Sequence, residues 1–399
     1  MQDSQIWEGL SLSLGLLFMA LAFQSRENLK SYSYPIAIFA VIAVAMYFPQ
    51  KITTLGNFQT KALIIPLLQV IMFGMGSQIS LEDFSAVIKQ PKGVLVGLIC
   101  QFSIMPAIAW MLTGLIGFPP EIAAGIILVG ASPSGLASNV MSFIANANIA
   151  LSITLTITAT LLAPVLTPFL MSWLAGELIP MDPVAMMNGI IELIILPIIA
   201  GFIFNTFAFK KTHMSAKIRE LAILGGLVIL KGLLMGTLLS SDTDSILRSV
   251  VYDCALFVLL PLLLSVITIR IPQLDQHRLS KVMVSISMIG IGLIIAVITA
   301  NGRDSLLQVG ILLITTCLIH NCLGYFMGYW LCKLLKMDTR TCRTIALEVG
   351  MQNGGLASGI AVQMGKITTV GLAAAVFGPL MNITGSSLAI WWKNRKIIE

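Results

Sequence analysis

The chain has 399 residues, of which 57% are apolar and only 11% are Asp, Glu, Lys or Arg. Soluble domains carry about 25% charged residues, so this composition excludes a soluble enzyme or a soluble binding module. The formal net charge of +6 is not gathered into a basic stripe with interleaved aromatic residues, which argues against nucleic acid as a partner.

Apolar runs recur along the whole chain. A membrane-spanning helix needs about 20 mostly apolar residues, and by that measure the sequence predicts about thirteen spans in one all-α polytopic membrane protein embedded in the lipid bilayer. The predicted spans lie near 8–24, 35–49, 63–79, 93–113, 119–145, 150–174, 184–205, 221–239, 248–269, 284–300, 305–333, 342–362 and 366–392. No stretch between them is long or polar enough to form a soluble domain.

The basic residues are unevenly distributed between these spans. With the gaps numbered alternately, 18 of the 24 Lys and Arg residues fall on one side and five on the other, while Lys231 lies inside a span. Because cytoplasmic loops carry an excess of Lys and Arg, we predict an N-terminus outside and a C-terminus in the cytoplasm, in the cell (inner) membrane. The run at 8–24 is interpreted as a retained helix, since Asp3 and Glu8 but no basic residue accompany its start.

Two predicted spans contain helix-breaking polar strings at their centres. The string GASPSGLASN occupies 130–139, and EVGMQNGG occupies 348–355. A broken helix leaves backbone groups that lipid cannot pair, so this backbone must line protein or a wet cavity. Freed carbonyls attract cations and freed amides attract anions. The breaks therefore predict a transporter site for a cation and an anionic substrate.

Glu348 adds a full negative charge to the second break, and no Lys or Arg lies near it in sequence within the span. It should hold a proton or pair with a metal cation. Ser152 and Thr156 share a helix face at i, i+4 spacing, and Gln101 lies in an otherwise apolar span. Hard oxygen donors of this kind suit Na⁺, whereas zinc and copper prefer His and Cys.

Each of these polar residues has an ordinary structural interpretation. A hydroxyl in a membrane helix often bonds back to the i−4 carbonyl, and a single Gln often joins two helices. Their conjunction with Glu348 favours an ion site. The string Gly-Leu-Ala-Ser also occurs just after both breaks, at 135–138 and 355–358, and interrupted segments in two halves are typical of an inverted-repeat transporter.

These residues resemble the sodium-coupled bile acid symporter family, especially its bacterial members. The matching strings are SNVM at 138–141, ALS at 150–152, HN at 320–321, LGY at 323–325, EVGMQN at 348–353 and NITGS at 382–386. The resemblance covers about 35–215 and about 280–392. It implies two inverted five-helix repeats with two crossing discontinuous helices, divided into a core and a panel domain, plus about three additional helices.

The resemblance also implies a division of the chain. The expected parts are an extra N-terminal transmembrane helix at 1–34, a first repeat at 35–174 broken at 130–139, the start of the second repeat at 184–215, an inserted pair of helices at 216–280, and the rest of the second repeat at 281–399 broken at 348–355. In the insertion, Lys231 and Asp253 are intramembrane charges on adjacent spans. We predict that they pair, or that Lys231 reaches Glu192, as a structural link rather than a proton path.

The resemblance further implies site residues. The first sodium site would use Ser138, Asn139, Ser152, Thr156 and Glu348. The second would use Gln101, Glu348, Gln352 and the carbonyls of Val349 and Met351. The substrate would lie beside Leu136, Ala137, Asn353, Met381 and Asn382. Bacterial relatives often carry Thr in place of Leu136 and His in place of Met381, so the identity of the ligand stays open.

The predicted function is secondary active transport, in which sodium-coupled symport moves an organic anion, bile-acid-like or a small carboxylate, by alternating access. The alternative is a proton-coupled or uncoupled organic anion exporter on the same fold, with Glu348 titrating. An enzyme is not expected, because no nucleophile–base pair, HExxH motif or pair of catalytic carboxylates is present. No nucleotide-binding motif appears either, so ATP is not an expected partner. The sequence leaves the oligomeric state open.

Overall fold

The computed structural model describes residues 2–26, 29–79, 90–209, 213–239, 243–270 and 276–395. The helices, in chain order, are α1 (Gln2–Gln24), α2 (Lys30–Tyr47), α3 (Pro49–Thr53), α4 (Ile64–Gly76), α5 (Pro91–Ile116), α6 (Pro120–Ala131), α7 (Ala137–Ile144), α8 (Ile149–Ala175), α9 (Pro183–Ile190), α10 (Leu196–Ala208), α11 (Met214–Leu239), α12 (Thr243–Cys254), α13 (Leu260–Ile269), α14 (Gln276–Asn301), α15 (Arg303–Leu334), α16 (Thr339–Gly350), α17 (Gly354–Gln363) and α18 (Val370–Lys393). A short antiparallel hairpin, β1 (Thr54–Leu55) and β2 (Phe58–Gln59), lies between α3 and α4.

Some sequence predictions concern positions outside the described residues. These are four of the basic residues used to assign sidedness, Lys89, Lys210, Lys211 and Lys396, and the segments 240–242 and 271–275 of the predicted insertion.

The helices match the apolar pattern of the sequence. In the described part of the chain, nine helices are long and apolar enough to cross a membrane, and the shorter apolar helices Thr60–Gly76 and Pro120–Ala131 accompany them. In hydrocarbon every backbone N–H and C=O needs a partner inside the protein, and a helix supplies those partners within one segment. The chain is therefore an all-α, multi-pass membrane protein, as the composition predicted.

The described residues fall into two compact units. The first contains those within 1–64, 82–186 and 291–399, and the second contains those within 65–81 and 187–290. All the residues of the predicted ion and substrate sites belong to the first unit.

Two helices of the first unit are interrupted. One ends at Ala131 and begins again at Ala137, and the other ends at Gly350 and begins again at Gly354. α6 packs against α17 and α7 packs against α16, so each half of one interrupted helix lies beside a half of the other. α5, α8, α15 and α18 pack around these four short helices. The interruptions thus lie inside the protein, where lipid does not have to pair their backbone.

The two interruptions are joined by an antiparallel bridge between Ser134 and Gln352. The Gly135 N–H donates to the Met351 carbonyl (N···O 3.0 Å), and the Asn353 N–H donates to the Pro133 carbonyl (2.8 Å). Four backbone groups that the helices no longer pair are satisfied in this way, which removes a cost of about 1–3 kcal/mol for each unsatisfied group.

In the second unit, α9 continues into α10 through a π-helical turn, Ile191–Ile195, and α12 continues into α13 through another, Ala255–Leu259. A small core of Leu196, Ala200, Val228 and Phe257 packs α10 against α11 and the second π-helical turn. Apolar contacts therefore hold α10 and α11 together beside the second π-helical turn.

The prediction that Lys231 pairs with a carboxylate is confirmed. Its Nζ donates to Glu192 Oε1 (2.8 Å) and to Asp253 Oδ2 (2.9 Å), so it contacts both candidate partners. The Lys231 and Asp253 side chains are 8% and 4% exposed, whereas that of Glu192 is 38% exposed. The ammonium thus links the helices that carry these residues within the second unit.

We expect Lys231→Met to destabilise the protein by about 3 kcal/mol, because it leaves the buried Asp253 carboxylate without a cation. Melting temperatures of the purified protein in detergent measure this. Adding Asp253→Asn to Lys231→Met should recover part of the loss, since the unpaired charge is then gone. Lys61→Met, at an exposed position, is the control. A melting temperature for Lys231→Met equal to that of the control would contradict the prediction.

Candidate functional site

The centre of the site is the buried Glu348, near the end of α16, whose side chain accepts hydrogen bonds from four hydroxyl groups. Its Oε1 accepts from Ser138 Oγ (2.7 Å) and Ser152 Oγ (2.5 Å), and its Oε2 accepts from Ser134 Oγ (2.6 Å) and Thr156 Oγ1 (2.9 Å). Among the described residues, none of the ion pairs to Lys, Arg or His involves Glu348. The Glu348 carboxyl group is therefore surrounded by hydroxyl groups.

Three different elements supply these hydroxyls. Ser134 lies in the first interruption, Ser138 in the first turn of α7, and Ser152 with Thr156 on α8. The i, i+4 spacing places Ser152 and Thr156 on the same face of α8, as predicted, and that face is turned towards Glu348. The Asn148 side chain caps α8 by accepting from the Leu151 N–H (3.1 Å), which fixes where the helix begins.

The start of α16 is fixed in the same way. Asp338 Oδ1 accepts from the Thr341 N–H (3.0 Å). Partial burial opposes ionisation of Asp338, but its hydrogen bonds to Thr341 and to the backbone of Arg340 and Asp338 together hold its pKa below the ordinary value. The ionised cap also complements the positive end of the helix dipole. The start of α16 is therefore capped by a side chain of its own chain segment, ten residues before Glu348.

Asn139 brings another oxygen into the cluster. Its Oδ1 lies 2.8 Å from Ser152 Oγ and 3.2 Å from Thr156 Oγ1. Each of these hydroxyls has one proton but faces two acceptors, a Glu348 oxygen and Asn139 Oδ1. The cluster thus has more acceptor positions than protons, and an ionised Glu348 adds a full negative charge. A monovalent cation among these oxygens would occupy the unpaired acceptor positions and neutralise that charge.

The donor chemistry restricts which cation would fit. In the part of the chain that the structure describes, no group of three or more His, Cys, Asp or Glu side chains is placed to hold a metal ion. The cluster around Glu348 consists of hydroxyl, amide and carboxylate oxygens, which are ligands for hard cations and poor ligands for zinc or copper.

A second group of polar atoms lies where the interruptions meet. Gln101 Nε2 donates to the Ser132 carbonyl (3.0 Å) and to Gln352 Oε1 (2.7 Å), and Gln352 Nε2 donates to the Val349 carbonyl (2.7 Å). Gln101 Oε1 is buried and has no hydrogen-bond partner among the described residues. A buried oxygen without a donor requires an explanation, and a bound ion or water would provide one.

Most of the residues predicted for the second sodium site thus lie together, and the Glu348 carboxylate is the exception. Gln101, Gln352 and the Val349 carbonyl form one connected group, and the Met351 carbonyl is part of the bridge between the interruptions. Both oxygens of Glu348 accept hydrogen bonds from the hydroxyl cluster instead.

The residues predicted for the substrate flank the interruptions. Leu136 and Ala137 lie at the start of α7, and the Leu136 side chain is exposed. Asn353 lies where the two interruptions meet and caps α17, with its Oδ1 accepting from the Leu356 N–H (3.0 Å). Met381 and Asn382 are neighbours on α18, where Met381 is buried and Asn382 Nδ2 donates to the Gly378 carbonyl (2.9 Å).

Sequence reasoning missed two contributors to the site. Ser134 stands in the polar string at 130–139 and donates to Glu348, but it was not assigned as a ligand. Its position between Pro133 and Gly135 was the available signal. Asn321 donates through Nδ2 to the Gly350 carbonyl (2.7 Å), which pairs the last carbonyl of α16. Nothing in its local sequence indicates this contact, because the two residues are far apart in the chain.

Comparisons with known proteins identify the proteins to which this chain is similar. The family described as the Sodium Bile acid symporter family matches residues 65–249. The sodium-dependent transporter YocS of Bacillus subtilis is 32% identical over 361 residues, which cover 90% of this chain and 90% of YocS. The chloroplastic protein BASS1 of Arabidopsis thaliana, named a probable sodium/metabolite cotransporter, is 28% identical over 84% of this chain and 68% of its own length. The protein BASS2 of Oryza sativa, with the same description, is 27% identical over 94% and 73%.

Proposed function

Because this chain belongs to the sodium bile acid symporter family, we propose that it couples the inward movement of Na⁺ to the uptake of an organic anion. Sodium-coupled transport agrees with the names of its relatives, and transport rather than enzyme catalysis is what the family does. Those names do not state which anion is carried, how its movement is coupled to sodium, or in which membrane the protein lies.

One observation carries the proposal. Glu348 is a buried carboxylate surrounded by hydroxyl groups, with an adjacent amide oxygen and a shortage of protons. An unpaired carboxylate is costly at this depth in a membrane protein. A sodium ion held by Ser138, Asn139, Ser152, Thr156 and Glu348 would neutralise the charge, and we assign it to this position.

We assign a second sodium ion to the second group of polar atoms, where the interruptions meet. Its ligands would be Gln101, Gln352 and the Val349 and Met351 carbonyls, with Glu348 as the nearby negative charge. The unpaired Gln101 Oε1 supports this assignment. The organic anion would bind beside Leu136, Ala137, Asn353, Met381 and Asn382, close to the start of α17, where the positive end of the helix dipole favours negative charge.

For the architecture, we propose thirteen spans, with four of them formed by α4, α11 and the interrupted pairs α6–α7 and α16–α17. The inverted repeats would be 35–174 and 184–215 with 281–399, the helices at 1–34 and 216–280 being additions. The distribution of Lys and Arg supports an inner-membrane protein with its N-terminus outside and its C-terminus in the cytoplasm. Alternating access would then be rigid-body motion of a core against a panel.

Transport is expected to be electrogenic. Two sodium ions moving with a monovalent anion carry one net positive charge, and each charge gains about 2.3 kcal/mol per 100 mV of membrane potential. In proteoliposomes, an inside-negative potassium diffusion potential set with valinomycin should accelerate uptake of the anion. Uptake that does not respond to the potential, at a fixed sodium gradient, would contradict this stoichiometry.

Replacing sodium by choline at fixed pH separates the proposal from the alternative of a proton-coupled or uncoupled exporter. Taurocholate and pantoate are suitable probes, since one is a bulky amphipathic anion and the other a small carboxylate. Uptake of either probe that requires sodium supports symport. Transport that persists in choline and follows a pH gradient instead would support the alternative.

A further inference from the structure

A buried amide connects the second interruption to α18. Asn321, on α15, is fully buried, and its Nδ2 donates to the Gly350 carbonyl at the end of α16 (2.7 Å). Its Oδ1 accepts a hydrogen bond from Thr384 Oγ1 on α18. One side chain thus uses both ends of its amide group to join a helix end of the site to a neighbouring helix.

The same place carries a second connection. Tyr325, one turn after Asn321 on α15, donates through its hydroxyl to the Met381 carbonyl (3.2 Å), and the hydroxyl lies 3.4 Å from Thr384 Oγ1. Gly350 packs directly against the Tyr325 ring, where an added Cβ would overlap the ring carbons. The end of α16 and the Met381–Thr384 segment of α18 therefore meet through two side chains of α15.

The Thr384 hydroxyl has alternative acceptors on two helices. Its single proton can go to Asn321 Oδ1 or to the Leu380 and Met381 carbonyls of its own helix, 3.0 and 3.2 Å away. Threonines in membrane helices commonly bond to the i−4 carbonyl in this way. The hydroxyl can thus connect α18 to Asn321 or turn back into α18, which gives the contact two discrete states.

We propose that Asn321 is a positioning residue that couples sodium binding at the interruption to the substrate-facing segment of α18, through Thr384. The inference rests on the proposed function. Gly350 lies between Val349 and Met351, whose carbonyls are assigned to sodium, and Met381 and Asn382 are assigned to the substrate. A cation that fixes the end of α16 fixes the Gly350 carbonyl, and Asn321 and Thr384 transmit that constraint to α18.

Hydrogen–deuterium exchange of the full-length protein tests the coupling without a known substrate. The exchange of peptides covering 348–353 and 377–387 is compared in sodium chloride and in choline chloride, for the wild type and for Thr384→Val. In the wild type, sodium should slow exchange in both segments. In Thr384→Val, sodium should still slow exchange at 348–353. At 377–387, the factor by which sodium slows exchange should fall by about fivefold, the change expected for the loss of one hydrogen bond.

Two variants serve as controls. Thr384→Ser keeps the hydroxyl and should restore the effect of sodium on 377–387. Thr315→Val, on α15 like Asn321, removes an exposed hydroxyl that bonds to the Ile311 and Leu312 carbonyls of its own helix, and it should behave as the wild type. A hydroxyl with a merely structural role would change exchange equally in both salts.

The outcomes separate the two ideas. If sodium protects 348–353 in both proteins but protects 377–387 equally with and without the Thr384 hydroxyl, or not at all in the wild type, the coupling role of Asn321 is wrong and the sodium site stands. If sodium protects neither segment of the wild type, the proposed sodium site fails, and this inference fails with it.

Discussion

Glu348→Gln is expected to abolish stabilisation of the protein by sodium. The substitution keeps the size of the side chain but removes the only full negative charge of the cluster. Removing one partner of a buried, hydrogen-bonded charge pair costs about 2–5 kcal/mol, so the affinity for sodium should fall by about 30-fold or more. Melting temperatures measured over a sodium chloride titration, with choline chloride holding ionic strength constant, give the affinity directly.

Variants of the surrounding ligands should have smaller effects. Ser152→Ala and Thr156→Ala each remove one oxygen from the cluster and should each weaken sodium binding by about tenfold. Because the two hydroxyls contact the same carboxylate, the double variant should not be additive. Glu177→Gln, at an exposed carboxylate, is the matched control and should bind sodium as the wild type does. Undiminished stabilisation by sodium in Glu348→Gln would refute the site.

Gly130→Ala is expected to damage both stability and sodium binding. An added Cβ at this position, near the end of α6, would lie 2.7 Å from the Met105 carbonyl oxygen of α5 and 3.0 Å from the Ala109 Cβ. Backbone cannot move aside as a side chain can, so α6 must shift, at a cost of about 1–3 kcal/mol. Ser132 and Ser134 follow α6 directly, and their contacts to Gln101 and Glu348 would shift with it.

Gly114→Ala provides the matched control for this prediction. Gly114 is an exposed glycine of α5, and among the described residues an added Cβ there meets nothing within 4 Å beyond its chain neighbours and the backbone of its own helix. Since alanine favours a helix over glycine by about 1 kcal/mol, this variant should be as stable as the wild type or more so. Melting temperatures and sodium titrations of both variants make the comparison. Equal stability of Gly130→Ala and Gly114→Ala would show that the close approach of α5 and α6 does not constrain the site.

The sequence by itself determined the class of the protein and marked the polar residues that lie inside its apolar runs. Apolar runs of membrane-spanning length need only local hydrogen bonds, so composition and segment length were enough to predict a polytopic helical protein. Helical periodicity was enough to put Ser152 and Thr156 on one face, and the charge of Glu348 inside an apolar span was enough to mark it as exceptional. The pairing of Lys231 was also predicted, because a buried ammonium has few possible partners.

The tertiary structure decided the contacts that local patterns do not specify. The bridge between Ser134 and Gln352, the four hydroxyls on Glu348, and the contact of Asn321 with the Gly350 carbonyl all join residues that are far apart in the chain. Periodicity assigns a side chain to a face of its own helix, but the partner of that face depends on how the helices pack and cross. Ser134 and Asn321 therefore became visible as part of the site only when the interrupted helices were seen side by side.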